Sequence, residues 1–176
     1  SVRVLLDMFE FPIEEKLLKK IVNDSFNELF ESSVGGLEIG KDIFIPPQAT
    51  GVILEKLISK KITEMSSVWK EGIQKNEKDV VNKENDLYSF EIKTSSSKSG
   101  VFGNRSYGHI SENKVKNREG FYLIINYKIP KPNDVSYHIY KIRFGWIEDK
   151  DWIAQKSQSG QQASLSTECK RKLKEL

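Results

Sequence analysis

The stretch FYLIINY, residues 121–127, constrains this chain more than any other. A continuous apolar run, with turn residues beyond it at Pro130, Pro132 and Asn133, marks a central strand buried on both faces. Such a strand needs cover on two sides, and the rest of the chain offers it. Residues 12–30 carry Ile13, Leu17, Leu18, Ile21, Val22, Phe26, Leu29 and Phe30 at helical spacing, with Pro12 suited to a first helical position and Gly35-Gly36 beyond the end. A second helix is expected over residues 49–69, its stripe formed by Leu54, Leu57, Ile58, Lys61, Ile62, Met65, Val68 and Trp69. Residues 135–147 read as a further strand whose pattern changes phase. Val135, Tyr137 and Ile139 are odd and Ile142, Phe144 and Trp146 even, so a bulge is expected near Lys141. A short helical turn is expected over 149–154, loop over 155–162, and a helix over the last ten residues capped by Ser166 or Thr167. The fold class is therefore α/β of mixed α+β layout, a small central sheet flanked by helices, in one domain spanning 1–176.

Residues 78–94 (KDVVNKENDLYSFEIKT) read as two short strands joined by a polar turn. Period-2 geometry puts Glu91 and Lys93 on one face of the second strand and Ile92 on the other. Asp79 shares the parity of Glu91, and an odd-numbered connection centred near Asn85 sets the two acids face to face. Two carboxylates and one ammonium then meet at one end of a hairpin. That trio can hold a divalent metal and activate a water, which points to phosphodiester hydrolysis. Asp79, Glu91 and the backbone carbonyl of Ile92 are the candidate ligands, suited to the oxygen shell that Mg²⁺ prefers. Lys93 belongs beside the scissile phosphate, lowering the pKa of the attacking water or offsetting charge on the phosphorane. Glu55, on the second helix, is either an auxiliary ligand or an ordinary exposed helix glutamate. Asp86 is closer to Glu91 in sequence, but it falls in the turn with the wrong parity, so Asp79 is preferred.

Charge adds little in total and more in its distribution. The 176 residues carry a formal charge of only +3, yet between residues 91 and 116 Lys93, Lys98, Arg105, Lys114 and Lys116 outnumber the acids. The one cysteine, Cys169, excludes an internal disulfide framework and suits a reducing cytoplasm. No apolar run reaches membrane-spanning length and no signal-peptide pattern is found, although the chain opens on Ser1 rather than Met, which leaves room for residues removed upstream. Residues 95–108 (SSSKSGVFGNRSYG) form a glycine-punctuated loop long enough to be functional.

The acid at residue 79 followed by Glu91-Ile92-Lys93 resembles the PD-(D/E)xK nucleases, with Lys78 where the motif's proline would stand. The strings over 90–108 and 143–165, and QATGVILEKLI over 48–58, look like the ScaI-like type II restriction endonucleases. The resemblance implies a restriction-endonuclease-like fold and a Mg²⁺-dependent enzyme, Mn²⁺ substituting, that acts as a homodimer on a short palindrome in double-stranded DNA. On that reading Asn104 and Arg105 suit base edges, Ser95, Ser96, Ser97, Lys98 and Ser106 suit phosphates, and Gln161 and Gln162 are base readers or plain polar loop. Arg105 fits a structural salt bridge equally well. Trp146 and Trp152 read as packing residues, and His109 and His138 have no Cys or His partners that would make a zinc site. Two other readings stay open: a nuclease of the same fold acting on branched, damaged or modified DNA without a fixed sequence, and a non-catalytic DNA-binding or interaction domain.

Overall fold

A computed structural model describes residues 11–104, 118–156, 160 and 162–176, the side chain of Asn104 excepted. In chain order its elements are α1 (Glu15–Phe30), β1 (Ser33–Val34), β2 (Leu37–Glu38), α2 (Pro47–Met65), β3 (Trp69–Glu71), β4 (Val80–Asn82), β5 (Phe90–Ser95), β6 (Phe102–Asn104), β7 (Gly120–Lys128), β8 (His138–Ile147), β9 (Trp152–Ala154), β10 (Gln162–Leu165), α3 (Thr167–Lys172) and β11 (Lys174–Glu175). The main sheet is six-stranded in the order β11-β8-β7-β5-β4-β3. It is mixed: β5 and β7 run parallel and the other neighbours antiparallel. The fold is thus a mixed α/β architecture compatible with the restriction-endonuclease-like class.

Strand β7 is buried almost end to end, and its alternation divides the core in two. Phe121, Leu123, Ile125 and Tyr127 join the helices in one cluster with Leu18, Phe26, Leu54 and Ile58. Tyr122 and Ile124 face the other way, into a cluster with Trp152, Leu165, Cys169 and Leu173. That second side is covered by α3 and by a small sheet in the order β6-β10-β9. In α1 the stripe Leu18, Ile21, Val22, Phe26, Leu29 and Phe30 is buried, as helical spacing requires.

The expected bulge falls at Tyr140. The β7–β8 register passes from Asn126↔Lys141 to Tyr127↔Ile139, leaving Tyr140 extra. This reconciles the phase change, because Tyr137 and Ile139 on one side of the bulge and Ile142 and Phe144 on the other all pack on the helix side.

Several boundaries differ from expectation, each for a tertiary reason. The first helix begins at Glu15, because Phe11 enters the core ahead of it, 4.6 Å from the Phe144 ring and 5.1 Å from that of Phe121. Gly35 and Gly36 do not merely end that helix. With φ of 59° and 78° they make the two-residue turn between β1 and β2, a conformation open to glycine. The second helix stops at Met65, and Trp69 starts a strand paired with β4. The strand expected from Val135 starts at His138, the residues before it forming a turn closed by a Lys131↔Asp134 bridge. The expected turn over 149–154 is a single 3-10 turn, Asp149–Asp151, followed by strand β9, which carries Trp152 into the second cluster. The last helix spans only Thr167–Lys172, because Leu173 turns inward and β11 adds to the edge of β8.

Leu123 is fully buried at the centre of this sheet. Replacing it with alanine should cost roughly 2–5 kcal/mol of unfolding free energy in urea titrations.

Candidate active site

The connection between β4 and β5 is built from short polar side chains that bond to their own backbone. Asn82 Oδ1 accepts from the amides of Glu84 (3.0 Å) and Asn85 (2.9 Å). Asn85 Oδ1 accepts from the Leu87 amide, and Ser89 Oγ accepts from the Asn82 amide at 3.0 Å. These bonds lock a compact turn and set the one register pair between the strands, Val80↔Phe90. One step outward along that antiparallel register, Asp79 stands opposite Glu91. Asp79 Oδ2 accepts a hydrogen bond from the Ile92 amide at 2.8 Å, so its carboxylate is held against the centre of the Glu-Ile-Lys segment. Asp86 is occupied in the turn, where its Oδ1 accepts from Ser89 Oγ at 2.9 Å.

Glu91 is almost fully buried. Lys93 is half-buried and, by register with β7, lies on the same sheet face as Glu91. From α2, Glu55 reaches into this group and shares a hydrogen bond with Asp79. Burial first, then the Asp79 carboxylate, push the Glu55 carboxyl up to about 7, and Glu91 adds to the effect. Close approach of α2 depends on Gly51. A Cβ built there would stand 2.5 Å from Thr94 Oγ1, so even alanine would displace the Thr94 side chain. The Tyr127 hydroxyl lies between the same elements, 3.3 Å from Thr94 Oγ1 and 3.5 Å from the Pro47 carbonyl oxygen.

Glu55, Ile92 and Lys93 line a cleft of about 740 Å³, while Asp79 and Glu91 are not among its described lining residues. The first turn of α2 (Pro47, Gln48 and Gly51) forms one wall with Glu55, Ile92 to Ser97 another, and Phe102, Gly103 and Gln162 a third. Helix N-termini favour anions. Among the described residues no three His, Cys, Asp or Glu side chains converge as a ready-made metal cage. Nonetheless the donor set fits a hard divalent cation. Asp79 and Glu91 offer carboxylates at one strand end, Ile92 a carbonyl between Glu91 and Lys93, and the cleft leaves room for water and phosphate to complete an oxygen shell.

The loop after β5 is held from below. Asn126 Nδ2 donates to the carbonyls of Ser97 (3.0 Å) and Gly100 (2.9 Å). Arg143 Nη2 donates to Asn126 Oδ1 (2.7 Å) and to the Ser99 carbonyl (2.9 Å). Ser95, Ser96 and Ser97 line the cleft, Ser97 Oγ accepting from the Gly100 amide as part of the turn, while Lys98 is exposed outside the lining. Gln162 lies in the cleft wall, directly paired in register with Asn104 across β6 and β10. Arg105, Ser106, Gln161 and His109 lie outside the described residues. His138 is exposed with its ring 4.7 Å from that of Tyr140. Trp152 packs in the second cluster and Trp146 against the first. Sequence reasoning missed Gln48, Val52, Phe102 and Tyr127 in the cleft, and the Asn126–Arg143 pair beneath it. Asn126, polar within an apolar run, was the available signal for that pair.

Comparison with known proteins places the sequence beside a known family. The family described as "ScaI restriction endonuclease" matches residues 6–175. The chain is 38% identical over 161 residues to "Type II restriction enzyme ScaI" of Streptomyces caespitosus, covering 89% of this chain and 70% of that protein.

The Glu55 grouping has a pH signature. A carboxyl raised from 4.5 to about 7 binds its proton more tightly in the folded than in the unfolded state. Its contribution to stability is therefore full at low pH and is lost as pH climbs through that window. Thermal melts of metal-free protein should show Tm falling across it, and Glu55→Gln should flatten the fall. Equal pH dependence in the two proteins would show that Glu55 does not sit against Asp79.

Proposed function

This chain belongs to the ScaI restriction endonuclease family, and from that premise we propose that Asp79, Glu91 and Lys93 are its catalytic residues and that Mg²⁺, replaceable by Mn²⁺, is its cofactor. The chain is a sequence-specific restriction endonuclease acting on DNA. The observation that supports the site assignment is the contact of Glu55 with Asp79, with Glu91 near enough to act on the Glu55 carboxyl, beside a cleft lined by Glu55, Ile92 and Lys93.

In this reading Asp79, Glu91 and the Ile92 carbonyl hold the cation, with Glu55 joining them directly or through water. A divalent ion bound there supplies charge neutralisation and a more acidic water. The residues of the chain do the rest. The Asp79–Ile92 hydrogen bond fixes the two carboxylates in relation to each other. The Lys93 ammonium faces the phosphate, offsets the charge that builds on the phosphorane and favours the hydroxide form of the attacking water. Burial strengthens each of these interactions over its value in water. The first turn of α2 turns its amide end toward the cleft, where it favours the phosphate backbone. Asn104 and Gln162, paired in backbone register across β6 and β10, are assigned to base edges together with Arg105 and Gln161, and Ser95, Ser96, Ser97, Lys98 and Ser106 to the backbone, on side-chain chemistry.

The further parts of the proposal are one nuclease domain over residues 1–176, a homodimer whose two-fold axis matches a palindromic site, and a cytoplasmic place of action. Among the described residues no helix is long and apolar enough to cross a membrane.

Incubating plasmid DNA with purified protein and Mg²⁺ should give discrete bands, whereas a smear would favour the sequence-independent nuclease. Lys93→Ala and Asp79→Ala should each lower the cleavage rate by at least about 10²-fold with far-UV circular dichroism unchanged. Full activity in either variant would remove that residue from the catalytic set.

A further inference from the structure

The catalytic cleft continues past Ser96. A second cavity of about 470 Å³ adjoins it, and Pro47 and Ser96 stand in the walls of both. Lys128, Lys131, Asn133, Asp134 and Tyr140 complete its polar lining. It opens at the carboxyl ends of the parallel strands β5 and β7, which finish at Ser95 and Lys128. Open α/β sheets take their ligands at that end. Tyr140 reaches this wall because it is the extra residue of the β8 bulge, and bulges re-aim side chains out of the ladder.

The charge of the cavity is set by how its one lining acid is used. Asp134 accepts from Lys128 Nζ (2.6 Å), from Ser136 Oγ (2.6 Å) and from the Ser136 amide (3.1 Å). Lys128 and then Ser136 hold its carboxyl well below the usual carboxylate range. The backbone closes the same turn, with Lys131 and Asp134 exchanging amide–carbonyl bonds of 2.9 and 3.0 Å. Asp134 is therefore matched within its own turn, and Lys131, exposed at the cavity wall, adds a positive charge beyond that pair.

We propose that this second cavity is a subsite for the DNA backbone. It receives a phosphodiester flanking the scissile one, with Lys131 supplying the charge and Ser96, Asn133 and Tyr140 the hydrogen-bond donors. The proposal rests on the nuclease reading above, since a duplex lying in the catalytic cleft has to continue in one direction or the other. The shared wall at Pro47 and Ser96 gives it a path lined with donors. Such a contact positions the duplex and carries no sequence information.

Salt dependence tests it. Binding of mixed-sequence duplex DNA to the full chain, followed by fluorescence anisotropy without divalent metal across a range of NaCl, gives a slope of log K against log salt that counts neutralised phosphates. Lys131→Gln should make that slope shallower by about 1 and should raise the DNA concentration needed for half-maximal cleavage. Its Tm should match that of the unaltered protein, because Lys131 is an exposed turn residue. Lys19→Gln, exposed on α1, should leave the slope unchanged. An unchanged slope in Lys131→Gln, with Mg²⁺-dependent cleavage by the unaltered protein intact, overturns the subsite and spares the nuclease reading. Failure of the unaltered protein to cut any DNA overturns both.

Discussion

The bond from the Ile92 amide to Asp79 Oδ2 is the contact on which the site depends. Strand β4 ends its pairing with β5 at Val80↔Phe90, while β5 runs on to Ser95 alongside β7. At that point the Ile92 amide would lose its partner on the β4 side, and the Asp79 carboxylate takes it. One side chain thus ends a ladder and fixes the acid beside Glu91. The bond is charge-assisted, the stronger kind, and it converts the register of a hairpin into the geometry of a site.

The rigidity of the floor has a second source, in Asn126 and Arg143. Both are buried, and a buried polar group without partners is costly. Here the cost is met by the loop itself, whose carbonyls at Ser97, Ser99 and Gly100 accept from the pair. Burial depresses the basicity of Arg143; its Nη2 spans a side-chain oxygen and a backbone carbonyl, while its buried Nε has no hydrogen-bond partner. The loop following the Glu-Ile-Lys segment is therefore tied to the interior of the sheet. The wall of the cleft at Ser95 to Ser97 inherits that order.

What the residues alone revealed follows from how local the determining interactions are. The β7 run was legible because both its faces are buried, leaving no polar residue to blur the pattern except Asn126. The opposition of Asp79 and Glu91 was legible because Asn82, Asn85 and Ser89 build the intervening turn from bonds spanning a few residues. Glu55 was visible only as one of two readings, because its approach depends on Gly51 lying against Thr94, a contact between elements far apart in sequence. The strand at Trp69 was missed because the apolar spacing from Leu54 onward continues through it, and pairing with Asn82 overrides that spacing. The small sheet joins β6, β9 and β10, short segments separated by tens of residues. No local pattern announces such pairings. The parallel partnership of β5 and β7, which brings the two cavities to one edge, was invisible for the same reason.

The nearness of Glu55, Asp79 and Glu91 is a cost to the fold. Three acids brought together with partial or full burial repel one another, and in the folded chain Glu55 responds by holding its proton to about pH 7. A sequence selected for stability alone would place an apolar or amide side chain at one of these positions. The sheet instead keeps the acids in place with the rigid parts of the fold, namely the locked β4–β5 turn, the close contact at Gly51 and the Tyr127 hydroxyl between α2 and β5. A cost of that kind at one end of an otherwise consistent structure fits the cation site proposed above. Under the proposal, Lys93 on the cleft wall and Lys131 beyond Ser96 would offset the repulsion between these acids and a polyanionic substrate.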